Sequence, residues 1–365
     1  MMFGLRFAER RTILRTTLVG GALLVAGGVA FGLLGPFHSA TGGAAVPPTS
    51  STSTPALGEL GPCPIGAGST ATHGIQLPGP PWVVASGDGD LWVLTRNWPS
   101  AGGGSLLRVV PTTGVVSRTM RFQADPWALT FGFGSVWVVA QQEGQSGATV
   151  VQVNAGSGEV VATMHDPRFG LSIAATGRFV WVAGGDSAPD RIFQIDPTMD
   201  RVTGRVARVP GGTVISLAAQ GDVLWSAGAG GVASFDGVSG RIIHHAAFGA
   251  PGVELSIRDG SVWVAQLGGN GALATGNLVR ISAHTGAVAG KPLSLPVAPG
   301  FVAITSDALW TGALPARATP SLIRVDPNSG QTRAVPLEGL PVDVVSLDDV
   351  VWVALRQPDK LVAIC

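Results

Sequence analysis

The chain has 365 residues, 45% hydrophobic and only 13% charged, with 53 Gly, 26 Pro and no Tyr. Its 23 Lys and Arg balance 23 Asp and Glu without forming a basic stripe, which argues against nucleic acid as a partner. Gly and Pro spread evenly between short apolar runs read as the turns of an all-β protein rather than as low complexity.

The first element is an N-terminal segment. Arg6, Arg10, Arg11 and Arg15 precede an uncharged run, residues 16–37. That run is long enough for the roughly 20 residues a bilayer crossing needs. The basic flank keeps residues 1–15 in the cytoplasm and sends everything after the run outside. The competing reading is a cleaved signal peptide with small residues near His38-Ser39-Ala40. The run exceeds an ordinary signal-peptide core, which favours an uncleaved signal anchor. Either way the bulk of the chain lies outside the cytoplasm. Residues 38–69, rich in Ala, Thr, Ser, Pro and Gly, bury too little apolar surface to order themselves and read as a flexible linker.

From residue 70 to 365 one word recurs: an apolar residue, Trp, then usually Val. Its Trp residues are Trp92, Trp137, Trp181, Trp225, Trp263, Trp310 and Trp352, spaced by 38 to 47 residues. A fixed period in this range marks a repeat architecture. Each unit holds an inner apolar run, a tight turn, the Trp strand, an alternating third strand such as Leu322-Ile323-Arg324-Val325, a turn rich in Pro, Asp and Gly, and a more polar fourth strand. Seven such units predict a seven-bladed β-propeller, with each Trp packed between neighbouring blades. The last unit lacks a fourth strand after Lys360–Cys365, and residues 72–77 are placed to supply it. That closes the ring and removes an open sheet edge.

The two cysteines are Cys63 and Cys365. In an exported protein an isolated pair is expected to be oxidised. A Cys63–Cys365 disulfide closes the ring covalently, worth about 4–5 kcal/mol in the chain-entropy model. Free thiols or metal ligation are the alternatives, and two cysteines with no adjacent His make a poor metal site.

The words Val136-Trp137-Val138 and Arg324-Val325-Asp326-Pro327-Asn328-Ser329-Gly330 resemble YVTN-type and streptogramin-lyase-type propellers over about residues 70–365. The Trp-Asp dipeptide of WD40 repeats is missing. The resemblance implies a bacterial surface or periplasmic propeller. For the lyase it further implies a metal-assisted site of His and Glu on one face. His73, His165, His244, His245 and His284 are scattered here, and no His-x-Glu arrangement occurs.

Propellers bind on the face formed by the loops from fourth to first and from second to third strands. Those loops offer Arg96, Trp98, Gln141, Gln142, Asp186, Gln266, Arg356 and Gln357. Asp125, Arg168, Glu254 and Asp343 come from the strand-entry loops. Trp98, outside the repeat register and beside Arg96, reads as a binding anchor or as a Trp folded onto its own blade. Four residues after each repeat Trp stand Arg96, Gln141, Gly185, Ala229, Leu267, Leu314 and Arg356, so polar groups gather in blades 1, 2 and 7. Phosphate-cradle and calcium-loop spacings are absent. The sequence therefore predicts a membrane-tethered, monomeric, non-catalytic binding module for a protein, peptide or envelope glycan, with no cofactor. A metal-assisted lyase or hydrolase at the channel mouth is the alternative.

Overall fold

Runs such as Val136-Trp137-Val138-Val139 combine β-branched and aromatic residues, which suit a pleated surface packed on both sides. In the computed structural model they form the second strand of every blade. The structure describes residues 71–97, 102–267, 275–312 and 320–364. Residues 1–70, and with them the predicted anchor, linker and Cys63, lie outside these, as does Cys365.

The described chain makes seven four-stranded antiparallel sheets. Blades 1 to 6 are residues 81–122, 125–166, 169–208, 214–246, 252–295 and 303–336, each with its strands in chain order from inner to outer. Blade 7 takes three strands from residues 340–364, and its outer strand is Ala71–Gln76. The predicted closure is therefore observed: Ala71 pairs with Ile364 and Gln76 with Lys360. No helix occurs among the described residues.

All seven repeat Trp residues are buried, none above 5% exposed. Seven apolar clusters fill the seams, one between each pair of successive blades. Trp92 of blade 1 packs with Leu129, Val136 and Val138 of blade 2. Trp352 of blade 7 packs with Val84, Val93 and Val109 of blade 1, so the closing seam is built like the rest. Burying one Trp removes 150–250 Å² from water, a gross gain of roughly 4–6 kcal/mol per seam. Several indoles are also anchored: Trp137 donates to the Gly132 carbonyl at 3.1 Å and Trp181 to that of Gly237 at 3.0 Å.

In blades 3, 4 and 6 the turn between third and outer strands is organised by an Asp that accepts from the residues after it. Asp236 accepts from the Ser239 amide and hydroxyl, and Asp326 from the Asn328 and Ser329 amides. These bonds hold both carboxyls below the usual carboxylate range, the Ser239 side chain being the largest cause at Asp236 and the Ser329 amide at Asp326. In blades 1, 2, 4, 5 and 6 a Gly closes the turn at φ near +70°, a conformation that disfavours a Cβ, and in blade 3 Asp200 takes that place at +50°. At Gly286 a Cβ would also stand 2.2 Å from that of His244.

Candidate binding face at the channel mouth

Inner strands begin and second strands end on the same side of the ring, the entry face. The opposite side, where third strands turn into outer ones, is the turn face. Near the entry face the ladder between inner and second strands skips one residue in blades 1, 2, 4, 5 and 7. Such a bulge re-aims the side chain it carries. The skipped residue is Ile215, Val253 or Val342 in blades 4, 5 and 7, but Trp82 in blade 1 and Trp127 in blade 2.

These two extra Trp residues meet edge to face, with centroids 5.6 Å apart and planes at 85°. Arg96, at the end of the second strand of blade 1, stands 3.7 Å from the Trp127 centroid and 4.9 Å from that of Trp82. Arg356, from the matching position in blade 7, stands 4.9 Å from Trp82. Cation and aromatic thus alternate, Arg356, Trp82, Arg96, Trp127, across three adjacent blades. Cation–π contacts strengthen as they lose water. Arg96 also donates to Asp125 at 3.0 Å across the blade 1–2 seam. Arg356 Nε donates to the Pro81 carbonyl at 2.9 Å, while its Nη2 meets no acceptor. Burial first, and then the neighbouring Arg96 charge, lower the Arg356 pKa, with Asp359 opposing.

Below this cluster the inner strands form the channel wall. Two residues before the partner of each repeat Trp stand Val83, Ala128, Ser172, Ser216, Glu254, Phe301 and Asp343, of which Phe301 precedes its strand and packs into the blade 6–7 seam. An inner strand has no partner on its channel side, so its free amides need other acceptors. Ser172 Oγ accepts from the Leu217 amide at 3.0 Å, and Asp343 Oδ2 from the Val84 amide at 2.8 Å; each bond crosses to the next blade. Asp343 Oδ1 accepts from its neighbour Val344. Glu254 Oε1 accepts from the Ser216 hydroxyl at 2.8 Å and from the Leu255 amide. Burial pushes both carboxyls up to about 7, hydrogen bonds oppose the rise, and the charge of Glu254 adds to it at Asp343. Both side chains keep part of their surface open to the channel.

Polar groups do gather in blades 7, 1 and 2. Two of the predicted site residues nevertheless lie inside rather than on the surface. Arg96 is 2% exposed, because its guanidinium fills the space between two indoles. Gln266 is 5% exposed and donates to the Ala250 carbonyl at 3.3 Å. Gln142, Asp186 and Gln357 are exposed, and Gln141 and Arg356 are half-buried. Trp98 lies outside the described residues. Asp125, Glu254 and Asp343 belong to inner strands rather than to the loops before them. Arg168 is held by Asp166 at 2.5 Å and 2.8 Å. His165 and His245 sit on outer strands, bonded to Thr149 and to the Gly230 carbonyl.

No family model and no curated protein matches this chain. Solved structures do match in fold. Virginiamycin B lyase from Staphylococcus aureus is 14% identical, covering 81% of this chain and 98% of its own, at a TM-score of 0.58. BamB from Moraxella catarrhalis is 10% identical, covering 81% and 100%, at 0.54. A chain of the mitotic checkpoint complex is 13% identical, covering 87% and 98%, at 0.64. At such identities the likeness is one of fold, and at that level the resemblance to streptogramin-lyase-type propellers holds.

Proposed function

We propose that the chain is a non-catalytic binding module, tethered outside the cytoplasm by residues 16–37, whose entry face over blades 7, 1 and 2 receives a protein, peptide or envelope glycan. The observation that supports it is the Arg356–Trp82–Arg96–Trp127 stack. The stack occupies three adjacent blades only and leaves the Arg356 guanidinium incompletely bonded. Trp82, Arg96 and Trp127 are buried and brace Arg356, so the surface on offer is Arg356 with exposed Gln142 and Gln357 on the same face, an off-axis patch that suits an asymmetric macromolecule better than a small ligand on the axis. One structural neighbour belongs to a protein complex, which is in keeping with this reading.

The test is affinity capture from the source envelope with the full chain, against an Arg356→Gln variant and a Gln266→Ala variant. Loss of capture with the first alone is expected. Equal loss with both would move the site to the axis. The tether is tested by a reporter fused after Cys365, which should work only outside the cytoplasm. A Cys63–Cys365 bridge belongs to the same reading, and an unreduced peptide digest should contain the linked pair.

A second reading, a lyase or hydrolase at the channel mouth, is favoured by Glu254 and Asp343, whose pKa values suit general acid–base work. The lyase neighbour raises the question of a metal. Among the described residues no three His, Cys, Asp or Glu side chains come together. The oxygens of Glu254 and Asp343 already accept protein hydrogen bonds. The donor set does not fit a metal.

A further inference from the structure

Among the described residues every large hydrophobic side chain that is exposed lies on the turn face. Val115 opens the outer strand of blade 1, Val160 and Val161 that of blade 2, and Ile242 and Ile243 that of blade 4. Met199 stands in the corresponding turn of blade 3 and Val288 just after that of blade 5. Phe133 sits in the turn from inner to second strand of blade 2. Each is at least 43% exposed. In blade 6 the matching positions are polar, Thr332 and Arg333. The apolar rim thus runs along five consecutive blades.

Exposed apolar residues scattered over a surface need no explanation, whereas apolar residues collected on one face mark an interaction site. The same face carries exposed Arg118, Arg178, Arg201 and Arg241 among exposed Asp88, Glu159, Asp222 and Asp259 and half-buried Asp196, Asp200 and Asp236, so its charge is mixed rather than basic. An apolar rim set among charges of both signs suits the boundary between acyl chains and zwitterionic headgroups, with apolar burial rather than charge as the attraction.

The path of the chain selects the occupant. Ala71 pairs with Ile364, the last residue of the third strand of blade 7, so the outer strand of that blade starts at the turn face. Residues 1–70 therefore join the propeller on the side that carries the rim. On the tether reading, the chain enters the propeller at the turn face, so that face lies nearer than the entry face to the point of attachment.

We propose that the turn-face rim of blades 1 to 5, centred on Val160, Val161, Ile242 and Ile243, rests in the headgroup layer of the membrane and directs the entry face away from it. The proposal rests on the tether reading above. The test uses the full chain in vesicles of phosphatidylcholine and phosphatidylglycerol, with p-benzoyl-phenylalanine replacing Val161, Ile243 or, on the entry face, Gln142. After irradiation, lipid adducts at 161 and 243 at least tenfold above those at 142 are expected. Lipid adducts equal at all three positions, in protein that stays with the vesicles through an alkaline wash, would overturn the docking and leave the tether standing. Protein released by that wash would remove the tether and the proposal with it. Crosslinks from 161 and 243 to another protein, or to a second copy of this chain, in native envelopes would show that the rim serves a different partner and refute the lipid assignment.

Discussion

The seams between blades and the wall of the channel are built from the same strands and obey different rules. Every seam repeats one solution, a Trp buried among Val, Leu and Ala of the next blade. The channel wall uses a different residue in almost every blade, from Val83 to Glu254 to Asp343. A seam must fill the same gap seven times, so its residue is fixed by volume. Wall positions answer to neighbouring strands instead: Ser172 and Asp343 accept an amide of the next blade, Glu254 meets the Ser216 hydroxyl, and Phe301 packs into a seam, so chemistry can vary there from blade to blade. Function in a repeat protein is therefore to be sought where the repeat is broken. Here the breaks are the two bulge Trp residues, the two Arg beside them and the two channel carboxylates.

The sharpest way to break this contrast is Trp137→Ala. The side chain is fully buried and bonded to Gly132, so a loss of about 3–5 kcal/mol is expected in denaturant unfolding. A loss below 1 kcal/mol would mean that the seams do not carry the ring.

Arg96→Ala comes next. The sequence alone, placing Arg96 on a surface loop, leads to an expectation of little change in stability. Its burial between Trp82 and Trp127 reverses that. Removing it leaves Asp125 without this partner and opens a cavity, at a cost of about 3 kcal/mol. A shift in melting temperature no larger than that of a surface variant would return Arg96 to the loop.

The channel carboxylates give a pH signature. Their folded pKa values, about 7, lie above the unfolded values, so the folded state holds more protons between about pH 4 and 7. Stability from these groups is full below the unfolded pKa and is lost as pH rises to about 7. Relative to wild type, Asp343→Asn and Glu254→Gln should therefore gain stability from pH 4 to 7, by up to roughly 3–4 kcal/mol each, and stay level above. Any constant offset from the changed hydrogen bonds would appear at all pH values. A difference independent of pH would show that neither carboxyl titrates there.

The smallest effect belongs to Gln142→Ala. The side chain is exposed, and unfolding should move by less than about 0.5 kcal/mol while envelope capture weakens.

The period of the Trp words and the missing last strand made the ring legible before any coordinates, because seam packing and sheet edges follow from local pattern. The Arg–Trp stack was only half legible. Its Arg residues stood out four places after the repeat Trp, but Trp82 and Trp127 read as ordinary members of apolar inner runs. Their meeting depends on bulges, which no alternation of residues reveals. A clue existed nonetheless, since these are the only inner runs carrying Trp. Glu254 and Asp343 carried a similar one: single acids within Val253-Glu254-Leu255 and Val342-Asp343-Val344 are costly in a strand unless a neighbouring blade has a use for them.

The pairing of Ala71 with Ile364 also governs how the ring can come into being. Seven blades in line share six seams, and the seventh forms only when the two ends meet, through a pair of strands separated by almost the entire described chain. During synthesis the first outer strand must wait, its edge unpaired, until the final third strand emerges. Contacts of such sequence separation form slowly, and open edges recruit wrong partners meanwhile. Loss of a few residues at the far end would then be felt first at the near one, in the Trp352 seam against Val84 and Val93, making the last strand a checkpoint for the whole ring.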